Sequence, residues 1–233
     1  MLSKKGQEIA FRQRRWPALK ELATGGPLVA EGIAVSLDST YAWGAGGQLY
    51  AWGGNAGGKL GIGSYVDQPA ATAVAVSGVV SIGTACCHVC ASTATGYVYC
   101  WGRNLSGELG DGTTTGTPSP VPTLESPAGV PFTGVVQVAG GDNHTCARKT
   151  DGSVWCWGSN ADGKLGRPGI ASTSPVPVTL AGPATEVATG NAHSCAIVDG
   201  TAALCWGRNV DGQLGNGGFA SADVPVAVEL PCP

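Results

Sequence analysis

Apolar residues in this chain come in short runs separated by turn residues. One stretch shows the pattern: Val135-Val136-Gln137-Val138-Ala139, then His144 to Lys149, then Ser153 to Trp157, and finally Val176-Pro177-Val178-Thr179-Leu180. Runs this short, rich in β-branched and aromatic residues, predict β-strands, because a helix would need an apolar stripe sustained over at least about ten residues. Thr150-Asp151-Gly152 joins the second and third runs. Glycine at the third loop position suits a type I turn closed by a left-handed residue, and Thr95-Gly96 repeats the arrangement. Asp223 to Leu230 predicts the last strand of the last unit, by likeness to Pro175 to Leu180.

The strand pattern recurs because the sequence does. One phrase occurs four times, as Trp52-Gly53-Gly54-Asn55, Trp101-Gly102-Arg103-Asn104, Trp157-Gly158-Ser159-Asn160 and Trp206-Gly207-Arg208-Asn209, with tryptophans 49, 56 and 49 residues apart. After each asparagine comes x-x-Gly-x-Leu-Gly, ending at Gly61, Gly110, Gly166 and Gly215. Four-stranded units at this period fit the blades of a β-propeller, in which each unit buries its faces against its neighbours. The expected class is all-β, with about four four-stranded blades in a partial or open propeller. The repeats run over about 30–76, 77–124, 133–180 and 184–230 within a domain 30–233, after a basic leader 1–29 expected to be poorly ordered.

Composition agrees. Glycine contributes 38 residues and proline 15, a number that would interrupt every helix, while 43% hydrophobic and 12% charged residues exclude a charge-rich disordered chain. The first 22 residues hold six basic side chains (Lys4, Lys5, Arg12, Arg14, Arg15, Lys20) against Glu8 and Glu21, which leaves seven basic against fourteen acidic residues in the remainder. An acidic body is a poor platform for phosphate contacts, so no nucleic-acid partner is expected. No apolar run reaches the roughly 18 residues of a membrane-crossing helix, so no membrane span is expected, and no secretory signal is visible.

Taken in register, Trp-Gly-x-Asn-x-x-Gly-x-Leu-Gly and Gly-x-x-His-x-Cys-Ala (Gly141 to Ala147, Gly190 to Ala196) resemble the regulator of chromosome condensation repeat family over about residues 30–230. The resemblance implies a seven-bladed ring of four-stranded blades that presents loops to protein partners. This chain has four clear repeats. It is therefore read as a fragment, an open arc, an unusually small ring or one part of an oligomer.

Six of the nine cysteines form pairs of equal spacing: Cys90 with Cys100, Cys146 with Cys156, and Cys195 with Cys205. With a three-residue loop between them, the two members sit opposite each other on adjacent strands. At a non-hydrogen-bonded site that brings them within disulfide reach. In the last pair Asp199-Gly200-Thr201 places glycine mid-loop, so its register is less firmly implied. Alignment on Trp52 puts Tyr41 and Ala51 at the paired positions of the first unit, so both cysteines are missing together there. Disulfides favour an extracellular or cell-surface setting, with a cytoplasmic one as the alternative. Cys86, Cys87 and Cys232 have no assigned partner.

Other chemistry is weaker. His88, His144 and His193 each stand two residues before a cysteine, but each unit offers three zinc ligands where four must converge, so a structural imidazole bonded to a neighbouring loop is the better reading. Asn160-Ala161-Asp162-Gly163 lacks the terminal oxygen ligands of a calcium loop; positive backbone angles at glycine, a buried leucine and an asparagine tying its own loop explain the phrase better. No catalytic residue, metal or cofactor is expected. Trp52, Trp101, Trp157 and Trp206 are read with Asn55, Asn104, Asn160 and Asn209 as repeat framework. The expected function is non-catalytic macromolecule binding, with partner contacts on Asp67 to Ala75, Gly110 to Pro122 and Arg167 to Pro175 and self-association through open blade faces. The alternative, carried by the resemblance, is a guanine-nucleotide exchange factor-like regulator of a small GTPase.

Overall fold

In the computed structural model residues 28–125 and 129–229 are described. They form four antiparallel sheets, each of four strands consecutive in the chain. The first contains β1 (Gly32–Val35), β2 (Ser39–Trp43), β3 (Leu49–Gly53) and β4 (Gln68–Ala73). The second contains β5 (Val79–Thr84), β6 (His88–Thr93), β7 (Val98–Gly102) and β8 (Thr117–Pro122). The third contains β9 (Val135–Gly140), β10 (His144–Lys149), β11 (Val154–Gly158) and β12 (Ser172–Pro177), and the fourth β13 (Ala184–Thr189), β14 (His193–Val198), β15 (Ala202–Gly207) and β16 (Ala222–Ala227). The protein is all-β, and the sheets are propeller blades. Of the expected leader 1–29, residues 1–27 lie outside the described residues.

The first strand of every blade lies on the inside of the arc. β5 packs beside β9 and β9 beside β13, and a Cβ on Gly83 would stand 2.8 Å from the backbone of Ala139 and Gly140. Blades 1 and 2 are joined there by Thr84 Oγ1 donating to the Val35 carbonyl (2.8 Å) and Ser36 Oγ donating to that of Ala85 (2.7 Å). Among the described residues no comparable strand contact joins the first and fourth blades. The arc is open.

The fourth strands begin earlier than the hydrophobic pattern implied. β12 covers Ser172–Pro177 rather than Val176–Leu180, and β16 ends at Ala227. The reason is a bulge: Trp155 pairs with Pro177 and Cys156 with Val176, but Gly158 pairs with Ser172, which draws polar residues into the ladder. Proline is tolerated because these are edge strands with one unpaired side. Much of the sequence assigned to partner-binding loops is therefore strand, and the loops proper lie earlier in the chain, at 54–67, 103–116 and 159–171.

The hydrophobic cores lie between blades. The first core joins Tyr41, Leu49 and Leu60 of blade 1 to Val79, Val89 and Trp101 of blade 2. The second joins Cys90, Cys100 and Leu109 to Val138, Ala147 and Trp157, and the third joins Cys146, Cys156 and Leu165 to Val187, Ala196 and Trp206. Blades 2 and 3 present their cysteine pairs, and blades 1 to 3 their leucines, to the next blade, and blades 2 to 4 present their tryptophans to the previous one. At every junction that indole donates across the gap to the carbonyl before the leucine: Trp101 to Lys59 (2.7 Å), Trp157 to Glu108 (2.7 Å) and Trp206 to Lys164 (3.0 Å). The Glu108 carbonyl also accepts from Thr145 Oγ1 (3.0 Å), so losing the indole removes one of two buried donors and leaves a void beside a fully buried ring. Trp157→Phe should therefore lower unfolding free energy by about 1–3 kcal/mol in urea denaturation; a change under about 0.5 kcal/mol would mean the bond is energetically idle.

Candidate functional site

Antiparallel order places all β1–β2-type and β3–β4-type connections on one rim of the arc, and the asparagine of each repeat shapes that rim. Asn55 Nδ2 donates to the carbonyls of Ser64 (2.7 Å) and Val66 (3.0 Å), while its Oδ1 accepts from Leu60 N–H (2.9 Å). Asn104 holds Thr113, Thr115 and Leu109 in the same way, Asn160 holds Arg167, Gly169 and Leu165, and Asn209 holds Gly218, Ala220 and Leu214. One side chain thus satisfies three backbone groups and seats the leucine in the core. Trp101, Trp157 and Trp206 are fully buried, whereas Trp52, which no other described blade covers, is partly exposed.

Cys90 faces Cys100, Cys146 faces Cys156 and Cys195 faces Cys205 in the strand registers. Their Cα atoms are 4.1, 4.1 and 4.0 Å apart, the close spacing of non-hydrogen-bonded antiparallel pairs, with the sulfurs at bonding distance. The last hairpin keeps this register through a different turn: Asp199 and Gly200 both take positive φ, and Thr201 N–H closes onto the Val198 carbonyl. In blade 1 the Tyr41 ring fills the corresponding space opposite Ala51, and its hydroxyl donates to the Lys59 carbonyl (2.9 Å). Cys86 and Cys87 also bring their sulfurs together. Cys86 Sγ lies 3.0 Å from Asp142 Oδ1 as well, a hydrogen bond that only the thiol form can donate. Cys232 lies outside the described residues.

The histidines tie blades together rather than loops. His88 Nε2 pairs with Thr145 Oγ1 (2.8 Å), and His144 Nε2 with Ser194 Oγ (2.9 Å), each hydroxyl lying on the second strand of the next blade. Burial, reinforced by the positive charge of Arg103, lowers His88 to about 3. Burial, and then the neighbouring Lys164, lowers His144 to about 3. Among the described residues no three or more metal-ligating side chains converge.

Ion pairs on the rim cluster on blades 1 and 2, around Lys59 and Arg103. Lys59 pairs with Asp38 and also donates to the Cys86 carbonyl (3.3 Å). Arg103 bonds the Asp142 carbonyl (3.1 Å) and the Asn143 side chain, and lies 3.5 Å from the fully buried Glu108 carboxylate. Two concavities flank this network. One of 460 Å³ is lined by Leu37, Cys86, Asp142 and Asn191, and one of 350 Å³ by Tyr65, Cys87, Arg103 and Leu105. Large apolar side chains stand exposed on every long rim loop: Tyr65 and Val66, Leu105 (75%), Ile170 (91%), and Val210 with Phe219 (71%). With Leu37 (86%) they make the rim stickier than ordinary surface.

The model of the regulator of chromosome condensation (RCC1) repeat matches residues 95–148, 151–197 and 202–231, and a second model of the same repeat matches 135–164 and 184–213. The chain belongs to the regulator of chromosome condensation repeat family. Human WBSCR16 superposes with a TM-score of 0.76 at 24% identity over 87% of this chain and 53% of that one. Prp20p from Saccharomyces cerevisiae, described with its binding properties to Gsp1p and histones, superposes at 0.77 with 20% identity over 90% of this chain and 52% of that one. This chain spans about half the length of these structures. At such identities the likeness is one of fold.

Within this RCC1-repeat arc, sequence reasoning missed the rim apolar residues. They occupy the unrepeated positions of the motif and the loop tails, where one sequence shows no periodicity; their only signal is large apolar residues among glycine, serine and threonine.

The paired cysteines should resist alkylation in denaturing, non-reducing conditions, and Cys146→Ala with Cys156→Ala should cost about 2–4 kcal/mol. Full labelling of all six would show free thiols. Protonation gives a second test. Unfolding returns His88 and His144 to about their usual 6.5. The unfolded state therefore binds more protons below that pH, and stability, full above it, falls as the pH drops towards 3. Each imidazole contributes a slope of up to about 1.4 kcal/mol per pH unit. His144→Gln should flatten the decline between about pH 6 and 4 in urea denaturation, and an unchanged slope would show that His144 does not carry it.

Proposed function

We propose that the chain is a non-catalytic protein-binding scaffold whose rim loops, held by a rigid blade framework, contact the partner. The observation that carries this reading is the set of exposed apolar side chains present on each long loop. Protein interfaces have that anatomy: a few large anchors within a polar rim. Repeats supply the framework and unrepeated loops supply specificity. The cysteine pairs fit an oxidising, extracellular or cell-surface setting. Self-association through the two open blade faces belongs to the same reading.

A second reading is regulation of a small GTPase. Its support is family membership together with Prp20p, described with its binding to Gsp1p. The two readings separate on nucleotide release. The scaffold reading expects no acceleration of release from a panel of small GTPases, and acceleration would favour the regulator.

Photo-crosslinkers at positions 105 and 170 should capture a protein partner from the native source, while one at Val130, on the opposite rim, should not. Leu105→Asp with Ile170→Asp should then weaken binding of that partner about 10- to 100-fold by calorimetry. Equal capture at both rims, or unchanged affinity, would remove the loops from the interface.

A further inference from the structure

The loop between the first and second strands is held by the same backbone bond in every blade. The N–H groups of Gly54, Arg103, Ser159 and Arg208 donate to the carbonyls of Asp38, Cys87, Asn143 and Ala192 (2.8, 2.8, 2.7 and 2.9 Å). That bond needs no side chain, and the two residues before the second strand differ from blade to blade: Leu37-Asp38, Cys86-Cys87, Asp142-Asn143 and Asn191-Ala192. Among the described blades only the second carries cysteine there, and it carries two.

Neither of these cysteines serves the framework. Cys90, Cys100, Cys146 and Cys156 are fully buried at the junctions, whereas Cys86 and Cys87 are half-buried. A bridge between chain neighbours encloses no loop, so it places no constraint on the unfolded chain and is no staple. Its sulfurs are instead open to reagents on two sides. Cys86 lines the 460 Å³ concavity with Leu37, Asp142 and Asn191, and Cys87 lines the 350 Å³ one with Tyr65, Arg103 and Leu105. The backbone holds them in place, since the Cys86 carbonyl accepts from Lys59 Nζ (3.3 Å) and that of Ala85 from Ser36 Oγ (2.7 Å). The two thiols differ in setting. Cys86 Sγ donates to Asp142 Oδ1 (3.0 Å), and a carboxylate there favours the protonated thiol. The concavity of Cys87 is lined by the Arg103 guanidinium and by no carboxylate, which favours the thiolate.

We propose that Cys86 and Cys87 form a thiol–disulfide exchange site for small-molecule disulfides. The Cys87 thiolate attacks one sulfur of a disulfide RSSR, so that a mixed disulfide forms on Cys87 and one RS⁻ leaves. Cys86 then gives up its proton, attacks the Cys87 sulfur and expels the second RS⁻. The two thiol protons end on the two departing groups. A dithiol and RSSR thus give the Cys86–Cys87 disulfide and two RSH, with two electrons passed to RSSR, and a small thiol reverses each step. The disulfide cannot donate to Asp142, so oxidation also removes a hydrogen bond between blades 2 and 3 at the wall of the 460 Å³ concavity.

The test is differential alkylation with peptide mapping of the native chain in graded mixtures of glutathione and glutathione disulfide. The expected result is that Cys86 and Cys87 interconvert between dithiol and disulfide while the pairs Cys90 with Cys100 and Cys146 with Cys156 keep one state throughout. Cys86→Ser should stop the reaction with one glutathione on Cys87, and Cys87→Ser should slow attack on glutathione disulfide at least about tenfold. Asp142→Asn should speed alkylation of Cys86 in the reduced pair at least about threefold while far-ultraviolet circular dichroism stays unchanged. An 86–87 pair that holds one state across the series, buried pairs that change state along with it, or glutathione retained on Cys86 in place of Cys87 would each overturn the site. The first two of these are read on the unaltered chain and stand whether or not a variant folds.

Discussion

The structure depends on burying an indole against the backbone of the preceding blade. Each blade is a thin sheet with apolar residues on both faces and no interior of its own, so its hydrophobic stabilisation exists only where two blades meet. The tryptophan is the largest side chain buried there, and its N–H shares the carbonyl before the leucine with a hydroxyl of Tyr41, Thr145 or Ser194. Glycine after the leucine makes the approach possible, and the asparagine holds the leucine and the glycine in place. The repeated phrase is therefore a single device, with parts that fail together.

The cysteine pairs belong to the same device. Cys90 with Cys100 and Cys146 with Cys156 lie on the face each blade turns to the next. They fill space at the junction and face each other across two strands. Blade 1 shows the alternative filling, in which the ring of Tyr41 takes the volume and its hydroxyl takes over part of the polar pairing. A pair of sulfurs and a tyrosine opposite an alanine are two solutions to one packing problem, which is why both cysteines are absent together from the first unit.

Much of this was legible in the residues because it repeats. Period, strand number, hairpin register and the role of the asparagine all follow from identical offsets read four times. What did not repeat was misread. The outer strands contain Pro118, Pro120, Pro175 and Pro177 beside polar residues and look like loops, since an edge strand shows neither strict alternation nor an apolar run. The histidines looked like loop ties because a lone sequence cannot say that Thr145 or Ser194 is reached from another blade. The rim residues Leu105, Ile170 and Phe219 carried no pattern at all, and only their exposure in the folded chain marks them.

That division has a physical cause. Each rim loop is pinned at its asparagine and again where it enters the outer strand, and between those points its backbone is fixed by hydrogen bonds to one amide side chain. Side chains such as Leu105 and Ile170 make no contribution to the junction, so their identity is free of the packing constraint that makes the framework recur. An exposed apolar group at such a position costs solubility and contributes nothing to the blade stack. Its presence on all four blades is therefore best accounted for by a surface that meets another protein, and the stiffness of the loops keeps the entropic cost of that meeting low.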